Sequence, residues 1–303
     1  MRFGFWPNPR SDYEDTKQLA NHAEQIGYDG IWLADHFLPE EPELIPVHES
    51  WITMAALSRD VPRLRIGTMV SGNTYRHPAV LANMVATLDN LNNGRSVLGI
   101  GSGWQQNEHE AYGIAYDTIG IRLRKLDEAC QIFKGLFNND YFDFDGEFYT
   151  LKHAPLEPKP KQVKLPLMIG GGGEKVTLRI AAKYADEWNV WGDVDILKHK
   201  MTILDQHCEA IKRDPKEIER CAVALLFLSD DEKYLKRIRE ADFGTPAIIG
   251  NVNELRDVIA AYDEAGVEEL IIPDFTLGTL IGADQRKKDL MEKFISEVAT
   301  VAT

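Results

Sequence analysis

The turn between an apolar segment at 167–169 and a helical segment at 175–185 is rich in glycine. It consists of four consecutive glycines and one acidic residue: Gly170, Gly171, Gly172, Gly173 and Glu174. Glycines leave backbone N–H groups unshielded, and the start of a helix adds the positive end of its dipole. This chemistry suits an anion, and we expect the phosphate of a bound cofactor. A flexible turn without a ligand is the alternative, although four glycines exceed what one turn requires.

Polar and aromatic residues also follow other apolar segments of the chain. Asp35 and His36 follow the second segment, and Ser71 and Gly72 follow the third. The group after the fourth segment consists of Gly101, Ser102, Gly103, Trp104 and Asn107. Glycines let backbone approach a flat ring, aromatic side chains form walls around it, and a histidine beside a carboxylate suits proton transfer. His36 is therefore a candidate acid or base, with a surface-loop pair as the alternative, and Trp104 belongs either to the site or to the core.

Motifs for other chemistries are incomplete. The segment 99–104 resembles a dinucleotide-binding fingerprint, but Trp104 stands where the third glycine belongs. The His-Glu pairs at His48 and His109 lack the second histidine of the zinc protease helix motif. The sequence contains no serine in the nucleophile-elbow pattern and no cysteine or histidine cluster with zinc spacing. We therefore expect a bound organic cofactor to carry the chemistry and expect no metal.

Eight apolar segments alternate with amphipathic helical segments along the chain. The apolar segments are 2–6, 29–34, 64–70, 96–100, 167–169, 187–191, 221–228 and 268–273. This alternation predicts a parallel sheet covered by helices, and eight units in 303 residues favour a closed (β/α)8 TIM barrel forming a single domain, 1–303. In such a barrel the strand ends meet at one mouth, which brings the candidate residues together. Two segments stand outside the repeat as insertions after strands four and seven: a hairpin with a proline-rich strap at 141–160, and a polar helix with a loop at 229–251.

Composition limits the partners of the chain. The net charge is −14 and no basic run stands out, which argues against nucleic acid. Three cysteines without a close pair argue against a disulfide framework. No apolar stretch is long enough to cross a membrane, and the first residues lack the apolar run of a signal peptide. These features predict a cytoplasmic protein with a small-molecule substrate and no membrane partner.

Taken together, these segments resemble the bacterial luciferase-like superfamily, and more narrowly its deazaflavin (F420)-dependent oxidoreductases. The segments that carry the resemblance are Trp32–Phe37, Gly67–Val70, Arg76–Ala79, Gly99–Trp104, Glu108–Gly113 and Ile169–Asn189. The resemblance covers nearly the whole chain, and it implies a (β/α)8 barrel with a flavin-type cofactor across its mouth. It also implies a homodimer paired through the helices beside strands two and three. Trp51, Met54 and Leu57 could serve that interface or face the barrel.

The same resemblance assigns roles to residues. It places a bulge at Met69, Val70 and Ser71, often with a non-proline cis peptide, behind the cofactor ring. The glycine run would hold the cofactor phosphate, while Asp35 and Asn107 would contact the ring or its side chain.

The residue implied for proton transfer is His36, tuned by Asp35. Some relatives that act on sugar phosphates carry a glutamate where Trp104 stands, so that substrate is not expected here.

The identity of the cofactor stays open between two flavin types. F420 implies hydride transfer to or from a small organic substrate, and FMN would permit monooxygenation with a separate flavin reductase. A non-catalytic flavin-binding protein is a third reading, and the first reading also allows an F420 reductase as a partner. The anionic tail of F420 favours basic residues nearby. Such residues occur on the strap, where they could also belong to a solvated loop: Lys152, Lys159, Lys161 and Lys164.

Overall fold

The computed structural model describes residues 1–40, 44–274 and 282–302. The strands, in chain order, are β1 Arg2–Trp6, β2 Gly30–Leu33, β3 Arg65–Thr68, β4 Ser71–Gly72, β5 Ser96–Gly101, β6 Tyr141–Asp145, β7 Thr150–Pro155, β8 Leu167–Gly170, β9 Glu187–Trp191, β10 Glu219–Val223, β11 Leu225–Leu228, β12 Ala247–Gly250 and β13 Glu269–Pro273. Eight of them close a parallel ring in the order β1, β2, β3, β5, β8, β9, β10 and β13, and β13 pairs back with β1. The predicted (β/α)8 barrel is thereby confirmed.

Helices surround the ring and bury their apolar faces against it. In chain order they are α1 Tyr13–Ile26, α2 Ser50–Asp60, α3 Pro78–Leu91, α4 Gln106–Tyr112, α5 Ile119–Asn138, α6 Thr177–Tyr184, α7 Val194–Ala210, α8 Glu232–Arg239, α9 Val252–Glu264 and α10 Gln285–Lys293. Asp12 caps α1 by accepting a hydrogen bond from the N–H of Asp15, and Gly27 ends this helix with a φ of 103°. None of the helices within the described ranges is long and apolar enough to span a bilayer.

The apolar segment 221–228 is two strands rather than the single strand predicted from the sequence. The first strand, β10, pairs with β9 and β13 in the barrel, and β11 leaves the ring to pair with β12 in a separate parallel sheet. The prediction of a loop at 247–250 is therefore wrong. Both strands are buried almost throughout, so the apolar pattern of the sequence does not show that β11 pairs outside the barrel.

The insertion after the fourth barrel strand forms the predicted antiparallel hairpin, β6 with β7, and then the strap. Lys159 donates to the carbonyl of Leu136 at 2.8 Å, and Lys164 pairs with Asp186 at 2.8 Å. Asp186 directly precedes β9, so the strap closes the N-terminal end of the barrel, opposite the strand ends where the site was predicted. The suggestion that strap lysines serve a cofactor tail is wrong for Lys159, Lys161 and Lys164, because their ammonium groups already bind other groups of the protein.

Buried ion pairs fill the N-terminal end of the barrel. Arg65 binds Glu269 at 2.6 Å and also pairs with Glu187, and the indole N–H of Trp32 donates to Glu269 at 2.8 Å. Burial raises the pKa of Glu187 to about 7, against the opposing effect of Arg65 and with the help of neighbouring carboxylates. Charges at this end of a barrel serve stability rather than catalysis.

A thiol lies in the same network. Glu187, Cys221 and Glu269 bring potential ligand atoms within 4.8 Å of one another. Both carboxylates are already bound to Arg65, and burial raises the pKa of the Cys221 thiol well above its usual value. We therefore interpret the cluster as structural.

Candidate active site

A bulge interrupts the third barrel strand at the mouth. β3 ends at Thr68, the peptide bond between Met69 and Val70 is cis, and β4 then pairs with β5. The implied non-proline cis peptide is thus found at the expected residues. The side chain of Val70 packs against Gly101 and Gly170. A Cβ atom added at Gly170 would lie 2.8 Å from a methyl group of Val70, and one added at Gly101 would lie 3.0 Å from the other, so only glycine fits at these two positions.

The glycine run follows β8 and turns away from the strand at once. Gly171 has a φ of +126°, and its carbonyl accepts a hydrogen bond from the indole N–H of Trp188 at 2.9 Å. Trp188 is fully buried beneath the run, so it belongs to the core. Within the described ranges, the N–H groups of Gly172 and Gly173 find no acceptor at hydrogen-bonding distance. Both remain available to an anion.

The helix after the run begins later than predicted. It starts at Thr177 rather than at residue 175, and no side chain caps it. Glu174 lies between the run and the helix, and its exposed carboxylate binds Lys200 at 2.5 Å and His199 at 3.1 Å. These hydrogen bonds hold the pKa of Glu174 below its usual value. The direct contribution of the helix is therefore smaller than expected. Lys200 lies beside Gly172, with its Cε 3.7 Å from the position of an added Cβ and its ammonium group on Glu174.

His36 lies at the mouth, just beyond β2, with its side chain partly exposed. Its Nδ1 lies 2.9 Å from Oε1 of Glu108 on α4. A carboxylate accepts hydrogen bonds, so Nδ1 carries the proton in the neutral ring and Nε2 keeps its lone pair. Across the described chain Nε2 has no partner, and it is free to exchange a proton with a ligand in the cavity.

Glu108 is fully buried, and its carboxylate accepts hydrogen bonds from backbone and side-chain donors. The N–H groups of Phe37 and Leu38 donate to its Oε2 at 2.8 and 3.3 Å, and the hydroxyl of Tyr75 donates to its Oε1. Burial by itself would raise the pKa of Glu108, but the hydrogen bonds from His36, Phe37 and Tyr75 outweigh it and hold the pKa below the usual value. Glu108 is thus a buried anion that fixes the orientation of His36.

Asp35 does not contact His36 as the resemblance implied. Arg76 binds it through two hydrogen bonds, at 2.6 and 3.1 Å, and also pairs with Glu49. Asp35 is fully buried, and the two hydrogen bonds from Arg76 compensate its charge. The expectation that Asp35 tunes His36 is corrected, because Glu108 occupies that place.

A cavity of about 600 Å³ opens at the C-terminal ends of the barrel strands, within the range of ligand sites. The predicted residues that line it are Asp35, His36, Met69, Val70, Ser71, Gly72, Gly101, Ser102, Gly103, Trp104, Gly170, Gly171 and Gly172. The ring of Trp104 lies edge-on to that of His36, with centroids 5.3 Å apart. Gly173 and Glu174 lie beyond the lining. Asn107 also lies outside it, because its side chain donates to the carbonyl of Pro39 at 2.8 Å.

Further lining residues include Trp6, to which the sequence assigned no role, and Asn189 and Trp191, which the sequence places at the end of the sixth apolar segment. Trp6 and Trp191 are the last residues of β1 and β9, so the rule that placed the other candidates at strand ends also selects them. Asn189 lies inside β9, and its buried Nδ2 has no acceptor within the portion of the chain described. Nothing in the sequence pattern marks Glu108 as the partner of His36, since the two are 72 residues apart.

The fold and the cavity define a (β/α)8 barrel with a ligand-sized site at the C-terminal ends of its strands. Residues 1–243 match the family described as luciferase-like monooxygenase, and the chain belongs to this family. A related protein, an F420-dependent glucose-6-phosphate dehydrogenase of Amycolatopsis mediterranei (strain U-32), is 31% identical over 232 residues, which cover 74% of this chain and 68% of that protein.

Solved structures share the fold. One is an F420-dependent secondary alcohol dehydrogenase in complex with an F420–acetone adduct, with a TM-score of 0.85 and 19% identity over 100% of this chain and 99% of that one. Another is the coenzyme F420-dependent tetrahydromethanopterin reductase of Methanopyrus kandleri, with a TM-score of 0.82 and 18% identity over the same shares. At these identities the structures establish the barrel and its topology.

Proposed function

We propose that this protein is an oxidoreductase that uses the deazaflavin F420 for hydride transfer to or from a small organic substrate. The observation that carries the proposal is a single cavity bounded by both the glycine run and the His36–Glu108 pair. Anion-binding backbone and a proton-exchanging side chain at one mouth are what a phosphorylated redox cofactor and its substrate require. The F420-dependent relative that shares 31% of aligned residues supports this cofactor.

The residues of the cavity fit such a cofactor. The unpaired N–H groups of Gly172 and Gly173 would hold its phosphate, with Lys200 close by. The buried amide of Asn189 needs an acceptor, which the carbonyl groups of a deazaflavin ring offer. The bulge at Val70, flanked by glycines, would support the ring. When bound, F420 accepts or donates a hydride.

His36 supplies the proton transfer that accompanies the hydride. Its Nε2 would take the hydroxyl proton of an alcohol during oxidation, or return a proton to a carbonyl oxygen during reduction. Glu108 stabilises the imidazolium that forms, because its carboxylate accepts a hydrogen bond from the Nδ1–H group in both protonation states of the imidazole. Trp104 lies beside the ring and covers it from water.

Cofactor titration tests the proposal. The purified protein is titrated with F420 and with FMN, and fluorescence reports binding. We expect F420 to bind more tightly, and tight FMN binding without F420 binding would instead indicate a flavin monooxygenase served by a flavin reductase. The His36→Ala variant should keep F420 affinity and lose hydride transfer by a factor of about 10² or more. His48→Ala is the control, because His48 is exposed and lies outside the described cavity lining.

We also propose that the protein is a homodimer that pairs through α2 and α3. Trp51, Met54 and Leu57 are buried against the barrel and cannot form this interface. On the outer faces of the same helices Ile52 and Val80 are 73% and 56% exposed. Light scattering should report a dimer for the wild type and a monomer after Ile52→Lys with Val80→Lys. Ile211→Lys, at an exposed position after α7, should leave the mass unchanged.

A further inference from the structure

The described lining of the active-site cavity contains two carboxylates, Asp35 and Glu40, and no lysine or arginine. The residues of the two internal segments outside the described ranges add no positive charge. Segment 41–43 reads Glu-Pro-Glu and segment 275–281 reads Phe-Thr-Leu-Gly-Thr-Leu-Ile, so neither contains a basic residue. Apart from His36, and from Lys200, which lies beside the glycine run and is paired with Glu174, the groups that could meet a substrate charge are therefore acidic or neutral.

The two carboxylates differ in their surroundings. Asp35 is buried and its charge is met by Arg76, which binds it from outside the cavity lining. Glu40 is exposed at the rim and forms no ion pair with any residue in the described ranges. A hydrogen bond from Asn107 at 3.3 Å holds only its backbone carbonyl. Glu40 thus presents an uncompensated negative charge at the entrance.

Three indoles complete the wall. Trp6 and Trp191 face one another with ring centroids 5.9 Å apart, and Trp104 is 56% exposed beside His36. Indole faces bury apolar groups, and they attract cations through the ring quadrupole. They offer nothing to an anion beyond the N–H at the ring edge.

Anion-binding groups are confined to the glycine run. Under the proposed function, on which this inference rests, the cofactor phosphate takes the N–H groups of Gly172 and Gly173. A phosphate or carboxylate on the substrate would then be desolvated beside Glu40 without a cation to meet it, which is strongly unfavourable.

We propose that the site selects substrates by charge, in the order cation, neutral molecule, anion, and that Glu40 sets this order. The substrate class is an uncharged or amine-bearing alcohol or carbonyl compound with an apolar body. Sugar phosphates, such as the glucose 6-phosphate named for the relative from Amycolatopsis, are disfavoured.

A series of three secondary alcohols of similar size tests this order: 1-amino-2-propanol, 2-butanol and lactate. Two readouts are measured at pH 8, kcat/KM with F420 and quenching of tryptophan fluorescence by each alcohol without turnover. We expect the cation to exceed the anion by about tenfold or more, as Coulomb's law gives for unit charges about 6 Å apart in a partly solvated site.

Substitutions at the rim isolate the contribution of Glu40. Glu40→Gln should lower the ratio of kcat/KM for the cation to kcat/KM for the anion by about tenfold, and Glu40→Lys should invert the order. Glu110→Gln is the matched control, because it removes an exposed carboxylate on α4 and should leave the ratio unchanged. Equal responses to the three alcohols, no response to any of them, or a preference for lactate would overturn the proposal.

The two readouts separate this inference from the proposed function. If F420-linked turnover is absent with all three alcohols while fluorescence keeps the order of charge, the cofactor assignment fails and the selectivity stands. If turnover occurs and glucose 6-phosphate is preferred over glucose, the selectivity fails and the F420 assignment stands.

Discussion

Replacing Glu108 by glutamine should reverse the proton arrangement of His36. One of the two carboxylate oxygens becomes an amino group, which can no longer accept. Oε2 faces the backbone N–H groups of Phe37 and Leu38, which cannot reverse, whereas Oε1 faces His36 and Tyr75, which can. We therefore expect the amide to keep its oxygen on the backbone and to donate to Nδ1. The neutral ring then carries its proton on Nε2, and the base is lost.

The expected cost follows from these four hydrogen bonds. Losing the charged acceptor weakens each of them by about 0.5–1.5 kcal/mol, and reversal at His36 and Tyr75 recovers part of the loss. We expect the free energy of unfolding to fall by about 2–3 kcal/mol at pH 7, and hydride transfer to fall by about 10²-fold or more. Urea unfolding, stopped-flow F420 reduction and ¹⁵N chemical shifts of the imidazole measure the three consequences. Glu110→Gln serves as the exposed control.

The pH dependence gives an independent check of the same reasoning. The folded pKa of Glu108 lies below its usual value of 4.5, so its stabilisation is complete above that value and is lost as the pH falls through the folded pKa. The stability difference between wild type and Glu108→Gln should shrink over that interval. An unchanged unfolding free energy at pH 7, together with a proton still on Nδ1 in the variant, would refute the assignment.

Three further predictions concern the framework of the site. Gly99→Ala places a Cβ 1.8 Å from the carbonyl oxygen of Thr68. We therefore expect the free energy of unfolding to fall by about 3 kcal/mol and the melting temperature to fall with it. Burial raises the pKa of Glu187 from its usual value of 4.5 to about 7. The stabilisation from its protonated form is therefore complete below pH 4.5, and the free energy of unfolding declines by about 3 kcal/mol as the pH rises to 7. Glu187→Gln should flatten this decline, as urea unfolding at several pH values can measure. Arg76→Met leaves Asp35 buried without its cation, and we expect a loss of about 3–5 kcal/mol that Asp35→Asn in the same chain partly restores, as calorimetry can measure. An Arg76→Met variant as stable as the wild type would contradict this account.

The sequence located the barrel strands because each of them is an apolar run before a turn. β1 and β9 have the predicted bounds, and β13 differs by one residue at its start. The bulge after Thr68 could not be read from the run 64–70, since a cis peptide leaves the apolar pattern unchanged. The division of the segment 221–228 into β10 and β11 was not predicted for the same reason, since both strands are apolar.

Site residues were predictable where strand ends alone decide their position. His36, Trp104 and Gly170 all reached the cavity by that rule. Pairings between distant side chains were not predictable, because the rule says where a residue lies and not which way its side chain turns. Asp35 is adjacent to His36 in sequence yet pairs with an arginine on another segment.

The contact of Val70 with glycines in two neighbouring strands has a consequence for protein engineering. Three segments far apart in the sequence must change in concert, since any larger side chain at Gly101 or Gly170 would collide with the bulge. Chimeras that join this chain to a homologue between residues 70 and 99 would take the bulge from one parent and the glycines that pack against it from the other. Recombination libraries should therefore keep 65–101 and 167–170 from the same parent.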